Sequence, residues 1–139
     1  MPASAELLVD TSVAVALAVA DHEHHEATVK AVGRRRLGLA GHAAFETFSV
    51  LTRLPPPARR AAAVVARLLS TSFPATRFLG ARATAALLAD LHNAGIAGGA
   101  VYDALVAAAA KEHGAVLGTR DHRALDTYRA LEVTVELIG

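Results

Sequence analysis

The stretch from Leu7 to Ser12 reads LLVDTS, a short apolar run that ends abruptly in an aspartate. A continuous apolar run of this length is typical of a strand that is buried on both faces of a parallel sheet. Thr11 and Ser12 are candidate N-caps for a helix over the next apolar run, Val13 to Ala20. The stretch therefore predicts a strand, a tight turn and a helix, with Asp10 at the carboxyl end of the strand.

The rest of the chain alternates strands and helices in the same way. Short strands are predicted at 37–40, 76–79, 115–118 and, as an edge strand, 133–138. Helices are predicted near 26–32 and at 42–54, 58–69, 82–91, 100–113 and 121–131. This alternation indicates an α/β fold with a parallel sheet. Because 139 residues suffice for one ordinary domain, we expect a single domain over residues 1–139.

Composition limits the classes of site and partner. The chain has no cysteine, so a bound metal must take oxygen or imidazole ligands. A net charge of only +1 gives no overall indication of a nucleic-acid partner. The longest apolar run, Val13 to Ala20, is too short for a membrane span, and Met1 to Glu6 carry no basic residue of a secretory signal. We therefore expect a cytoplasmic protein without a membrane segment.

Acidic residues recur where the predicted strands end or the helices begin. They are Asp10, Glu46, Asp103 and Asp121. Each has an ordinary explanation as a turn residue, a helix cap or a solvated side chain. If all four converge to within ~5 Å, however, each pair repels by roughly 3 kcal/mol at an effective dielectric near 20, and a cation or protonation must relieve the repulsion. Oxygen ligands favour Mg²⁺ or Mn²⁺, and phosphoryl transfer is a natural chemistry for such a site.

Short motifs around these acids occur in a fixed order along nearly the whole chain. They are LVDTS at 8–12, FE at 45–46, VYDAL at 101–105 and GTRD at 118–121. The ordered set resembles the signature of PIN-domain nucleases, in particular the toxins of VapBC toxin–antitoxin modules. The resemblance implies a three-layer α/β/α sandwich with a central parallel sheet, and Mg²⁺-dependent cleavage of RNA by a metal-activated water.

The resemblance also implies roles for individual residues and for partners. Asp10 and Asp103 would be the principal metal ligands, with Glu46 and Asp121 completing the acidic cluster. Hydroxyl groups that would orient metal-bound water belong to Thr11, Ser12 and Thr119. The implied partners are an RNA substrate, a VapB-type antitoxin that blocks the acidic cleft, and a second copy of the chain in a homodimer.

Two other functions remain open from the sequence. A PIN-like fold can serve as a non-catalytic RNA- or protein-binding module, although clustered negative charge does not favour phosphate binding. A haloacid-dehalogenase-like phosphatase would use Asp10 as its nucleophile, but that chemistry expects an aspartate where Ser12 stands.

The other charged and aromatic residues have structural explanations, except for the arginines beside Asp121. The histidines at 22, 24 and 25 are read as a solvated helix start, and the arginines at 34–36 as a solvated turn. Arg120 and Arg123 flank Asp121, and we expect Arg120 to contact the RNA backbone. Phe45 and Phe48 are expected in the core. Asp126 is expected on the outside of the last helix.

Overall fold

A parallel four-stranded sheet with the strand order β2-β1-β3-β4 lies at the centre of the computed structural model, which describes residues 6–139. The strands are β1 (Glu6–Val9), β2 (Arg36–Leu39), β3 (Leu117–Thr119) and β4 (Val135–Leu137). Residues 1–5, where the absence of a secretory signal was considered, lie outside the described part of the chain.

Seven α-helices connect and flank the strands. They are α1 (Thr11–Ala18), α2 (His25–Val32), α3 (Ala43–Thr52), α4 (Ala62–Ser72), α5 (Ala81–Asp90), α6 (Ala100–Glu112) and α7 (Leu125–Ala130) within residues 6–139. A 3-10 turn at His122–Ala124 precedes α7. None of the helices within 6–139 is long and apolar enough to cross a membrane.

Strand β1 divides the core into two layers, as its sequence predicts. Leu7 and Val9 point to one face of the sheet and pack with Val13 of α1. Leu8 points to the other face and packs with Val106 of α6. Because successive strand residues face opposite sides, a strand apolar at every position requires cover on both. The predicted three-layer α/β/α arrangement with a parallel sheet is confirmed.

The strand predicted at 76–79 is wrong, since that segment makes only an isolated parallel bridge between Ala40 and Arg77. The amide of Leu39 donates to the hydroxyl of Thr76 (2.9 Å), so a side chain takes the place of a ladder carbonyl. The segment also runs very close to β2, because a Cβ on Gly38 would lie 2.2 Å from the carbonyl oxygen of Ala75.

Helix starts also differ from the prediction. Asp10 itself, rather than Thr11 or Ser12, caps α1 by accepting from the amide of Val13. Helix α4 begins at Ala62 instead of 58, because the amide of Arg60 is bonded back to Leu51. These local changes leave the carboxyl ends of β1, β2 and β3 at one edge of the sheet.

Candidate active site

Four carboxylates line one pocket at the carboxyl edge of the sheet. Asp10 follows β1, Glu46 and Asp103 lie in the first turns of α3 and α6, and Asp121 follows β3. The pocket, here called the acidic pocket, has a volume of about 250 Å³. Its other lining residues are Thr11, Ser12, Val106, Arg123 and Tyr128. The four acids selected from the sequence are thus brought to the same cleft.

Asp10 is the most enclosed of these acids, with 4% of its surface exposed. Its Oδ1 accepts from the Ser12 hydroxyl (2.6 Å) and the Val13 amide (3.3 Å). Its Oδ2 accepts from the hydroxyls of Thr119 and Tyr128 (2.8 Å for Tyr128). A carboxylate has about four lone-pair positions, so these donors occupy most of them and fix the orientation of the group.

Thr119 is fully buried beneath Asp10 and ties two of the acids together. Its hydroxyl donates to Asp10 and accepts from the backbone amide of Asp121 (3.0 Å). The role suggested for Thr119 from the sequence was to orient metal-bound water. In the structure its hydroxyl contacts the Asp10 carboxylate directly and does not line the acidic pocket.

Thr11 and Ser12 do line the acidic pocket, and both contact carboxylates. The Thr11 hydroxyl donates to Glu46 (3.3 Å), which joins α1 to α3 across the pocket. The Ser12 hydroxyl donates to Asp10 and accepts from the amide of Arg120 (2.8 Å). These hydroxyl groups therefore hold the acids in position relative to one another.

Tyr128 belongs to the site although the sequence analysis did not select it. The side chain lies on α7, is 1% exposed, and donates to Asp10 across 118 positions of sequence. Burial raises the pKa of the phenol well above its ordinary value, and the Asp10 charge raises it further. The hydroxyl therefore remains a donor. A buried tyrosine needs a hydrogen-bond partner, but the sequence alone does not say which one.

Asp103 experiences the repulsion that the clustering of acids predicts. Burial raises the pKa of its carboxyl, and the charges of Asp121, Glu46 and Asp10 raise it further in that order. The guanidinium of Arg123 opposes the shift. A divalent cation in the pocket would stabilise the ionised forms of these groups together.

The four acids line one pocket without forming a complete set of direct metal ligands. Within residues 6–139, no three acidic, histidine or cysteine side chains lie close enough to hold one ion directly. Mg²⁺ is commonly bound by one or two carboxylates and keeps several waters, so an open pocket lined by carboxylates and hydroxyls fits this ion. Asp10 and Asp103 are suitable direct ligands, with Glu46 and Asp121 able to act through water.

Of the two arginines near Asp121, Arg123 and not Arg120 lines the acidic pocket. The Nε of Arg120 donates to the carbonyl of Ile138 (3.2 Å), and the residue does not line the acidic pocket. Arg123 does line it, with a side chain 91% exposed and a 3.3 Å contact from Nη2 to Oδ2 of Asp121. Arg123 is therefore better placed than Arg120 to meet a phosphate.

The remaining polar clusters have structural roles. His24 contacts Glu23 (3.3 Å), and Nδ1 of His25 lies 2.8 Å from the carbonyl oxygen of Ala16. Arg35, in the basic run at 34–36, makes a bidentate ion pair with Glu136 at 2.7 and 2.8 Å. Arg35 thus connects the segment before β2 to β4, whereas the sequence predicted a solvated side chain in a turn.

Comparison with known proteins places this architecture in a family. The PIN domain family matches residues 7–130. Ribonuclease VapC27 of Mycobacterium tuberculosis is 52% identical over 129 residues, which cover 93% of this chain and 94% of the relative.

Solved structures show a similar fold at lower identity. The structure of VapC20 from M. tuberculosis, described as a sarcin-ricin loop cleaving toxin, has a TM-score of 0.67 at 22% identity and covers 92% of this chain and 96% of its own. The structure of VapBC2 from Rickettsia felis bound to a promoter DNA fragment has a TM-score of 0.67 at 13% identity, with coverage of 96% and 99%. The chain therefore belongs to the PIN-domain family, within the group of proteins named VapC.

Proposed function

We propose that this chain is a single-domain, Mg²⁺-dependent endoribonuclease and the toxin of a type II toxin–antitoxin system. The observation that carries the proposal is the convergence of Asp10, Glu46, Asp103 and Asp121 on one pocket in a PIN-domain chain. The name of a relative at 52% identity, ribonuclease VapC27, supports RNA as the substrate.

The side chains divide the work of hydrolysis in the proposed site. Asp10 and Asp103 would hold the cation, and the buried donors around Asp10 fix the orientation of its carboxylate. When bound, Mg²⁺ supplies positive charge at the scissile phosphate and acidifies nearby water. Glu46 and Asp121 accept hydrogen bonds from the water that enters the pocket, and Asp121 also holds Arg123 at the rim. Mn²⁺ is a suitable substitute because it has similar oxygen ligands.

An antitoxin peptide and a second copy of the chain are the proposed protein partners. The similarity in fold to a VapBC complex supports a VapB-type antitoxin that covers the acidic pocket. Helix α5 supports a homodimer, because none of its residues is buried and Leu88 is 72% exposed. The proposed RNA substrate implies action in the cytoplasm.

A cleavage assay tests the activity. Purified protein is incubated with structured and single-stranded RNAs in Mg²⁺, in Mn²⁺ and with a chelator, beside Asp10→Asn and Asp103→Asn. We expect cleavage by the wild-type protein only with metal, and a loss of at least about 10²-fold in each variant, the order seen when one electrostatic stabiliser is removed. Equal cleavage by all three proteins, or cleavage in chelator, would contradict the proposal.

A further inference from the structure

Exposed aromatic rings cluster beside the acidic pocket. Phe45, Phe78 and Tyr102 have 65%, 54% and 52% of their surfaces exposed, and Phe45 was wrongly expected in the core. The rings of Phe45 and Phe78 lie 6.0 Å apart. The Tyr102 ring stacks on His42 at 5.1 Å with an interplanar angle of 20°. Phe45 and His42 line a common pocket with Glu46, so the ring cluster adjoins this acid.

A second pocket, here called the flanking pocket, opens against the same side of α3. It has a volume of about 300 Å³ and shares Thr11 and Glu46 with the acidic pocket. His42 and Phe45 line it at one end, and Arg53 lines it at the other. A strand of polymer that places one phosphate in the acidic pocket can therefore continue into the flanking pocket without leaving the surface.

Arg53 gives this pocket a positive charge. Its Nε donates to the Ser49 hydroxyl (3.2 Å), and among residues 6–139 its guanidinium forms no ion pair. Arg53 lies two helical turns beyond Glu46, about 10 Å along α3. Its Nε is held at Ser49, between Glu46 and Arg53 on α3, so the guanidinium is placed to meet a phosphate next to the one over the acids.

We propose that the flanking pocket binds a nucleotide of single-stranded RNA next to the scissile phosphate, with its base against Phe45 and a phosphate on Arg53. The inference rests on the proposed ribonuclease activity and deepens it. Aromatic faces stack on any base, and arginine donates two parallel hydrogen bonds to phosphate. An uninterrupted apolar face would suit a second copy of the chain better, but here Glu46, Ser49 and Arg53 interrupt the surface.

Binding is measured separately from cleavage. All proteins carry Asp103→Asn, and the probes are fluorescently labelled oligoadenylate and oligouridylate of equal length, followed by anisotropy at several salt concentrations. Phe45→Leu keeps an apolar side chain but removes the ring, whereas Phe45→Trp keeps a ring. Val29→Ala is the matched control, because Val29 is an exposed apolar residue of α2 that lines neither pocket.

We expect Phe45→Leu to weaken oligoadenylate binding by about 5- to 100-fold, as stacking of one base predicts. Phe45→Trp and Val29→Ala should bind as the parent does. Arg53→Gln should weaken both probes and reduce the salt dependence by about one phosphate contact.

Unchanged binding in both Phe45→Leu and Arg53→Gln overturns the subsite. A change only in the oligomeric state also overturns the subsite, because it assigns the pocket to a second copy of the chain. A change only in antitoxin affinity overturns it as well, because it assigns the pocket to the antitoxin peptide. Cleavage by the chain with an intact Asp103 is measured in parallel. If that chain never cuts RNA, the proposed activity fails; if it cuts and both Phe45→Leu and Arg53→Gln bind normally, only the subsite fails.

Discussion

Replacing Tyr128 with phenylalanine removes one hydroxyl from beneath the proposed metal site and leaves the buried ring in place. The lost bond is a 2.8 Å donation to the Asp10 carboxylate, and hydrogen bonds to charged groups contribute about 1.5–3 kcal/mol. Three other donors remain on Asp10, so we expect Tyr128→Phe to lower the free energy of unfolding by an amount near the lower end of this range, about 1.5 kcal/mol. For a chain of this length that corresponds to a fall in Tm of about 5 °C.

The more specific consequence concerns the metal. A carboxylate that loses a fixing donor is less well oriented, and the loss of such a supporting contact typically weakens metal binding or activity by about 10- to 100-fold. We expect Tyr128→Phe to raise the Kd for Mg²⁺, measured by calorimetry, by about tenfold. RNA cleavage should recover at high Mg²⁺, because the ligands themselves are intact.

Thr28→Val is the matched control, since Thr28 of α2 is also fully buried but its hydroxyl donates to the carbonyl of His24, the residue before α2 (2.7 Å). This variant should lose stability without a change in Mg²⁺ affinity. If Tyr128→Phe lowers Tm and leaves both Mg²⁺ affinity and cleavage unchanged, the hydroxyl has only a packing role and the reasoning is refuted.

Further predictions concern charge and close packing. The raised pKa of Asp103 means that the folded state holds this proton more tightly than the unfolded state, so without metal its contribution to stability falls as pH rises above the ordinary value of 3.8. Asp103→Asn should therefore raise the Tm of the metal-free protein at neutral pH and reduce the fall of Tm with rising pH. An unchanged dependence of Tm on pH would contradict the raised pKa of Asp103. The hydrogen bond from Arg35 lowers the pKa of Glu136, so the ion pair stabilises the fold at neutral pH and this stabilisation is lost as the pH falls. Glu136→Gln should lower the free energy of unfolding in urea by at most about 1 kcal/mol at neutral pH, because solvent screens the partly exposed pair. RNA cleavage by this variant should stay normal. Gly38→Ala places a Cβ 2.2 Å from the Ala75 carbonyl oxygen and should lower the free energy of unfolding by about 3 kcal/mol or more. A urea midpoint equal to that of the wild type would show that the chain near Ala75 packs less closely on β2.

The sheet could be predicted from sequence because burial on two faces leaves a clear pattern. Leu7, Leu8 and Val9 are apolar at successive positions, and the structure covers both faces of β1 accordingly. The segment at 76–79 reads TRFL, in which threonine and phenylalanine favour a strand, but the Thr76 hydroxyl takes the place of a backbone hydrogen-bond partner there. That substitution depends on a long-range contact that no local pattern reveals.

The acids of the site and the hydroxyl residues Thr11, Ser12 and Thr119 could be selected from their positions and from the family resemblance, whereas Tyr128 and the contacts around Asp10 could not. Tyr128 and Thr119 reach Asp10 across 118 and 109 positions, so sequence spacing does not connect them. Likewise, the aromatic character of Phe45 suggested burial, and only the fold shows that its side of α3 is exposed. Position beside Asp121 favoured Arg120 for substrate contact, and only the fold shows that Arg120 bonds to Ile138 while Arg123 lines the acidic pocket.

The acidic pocket is the proposed binding site of the divalent ion that the chain needs for cleavage. Titration with Mn²⁺, followed by electron paramagnetic resonance, tests it directly in the wild-type protein, Asp10→Asn, Asp103→Asn and the control Asp126→Asn, whose carboxylate is exposed on α7 and does not line the pocket. We expect saturable binding by the wild type and Asp126→Asn, and at least tenfold weaker binding by the other two variants, or about 1.4 kcal/mol. Equal Mn²⁺ affinity in all four proteins would contradict the account.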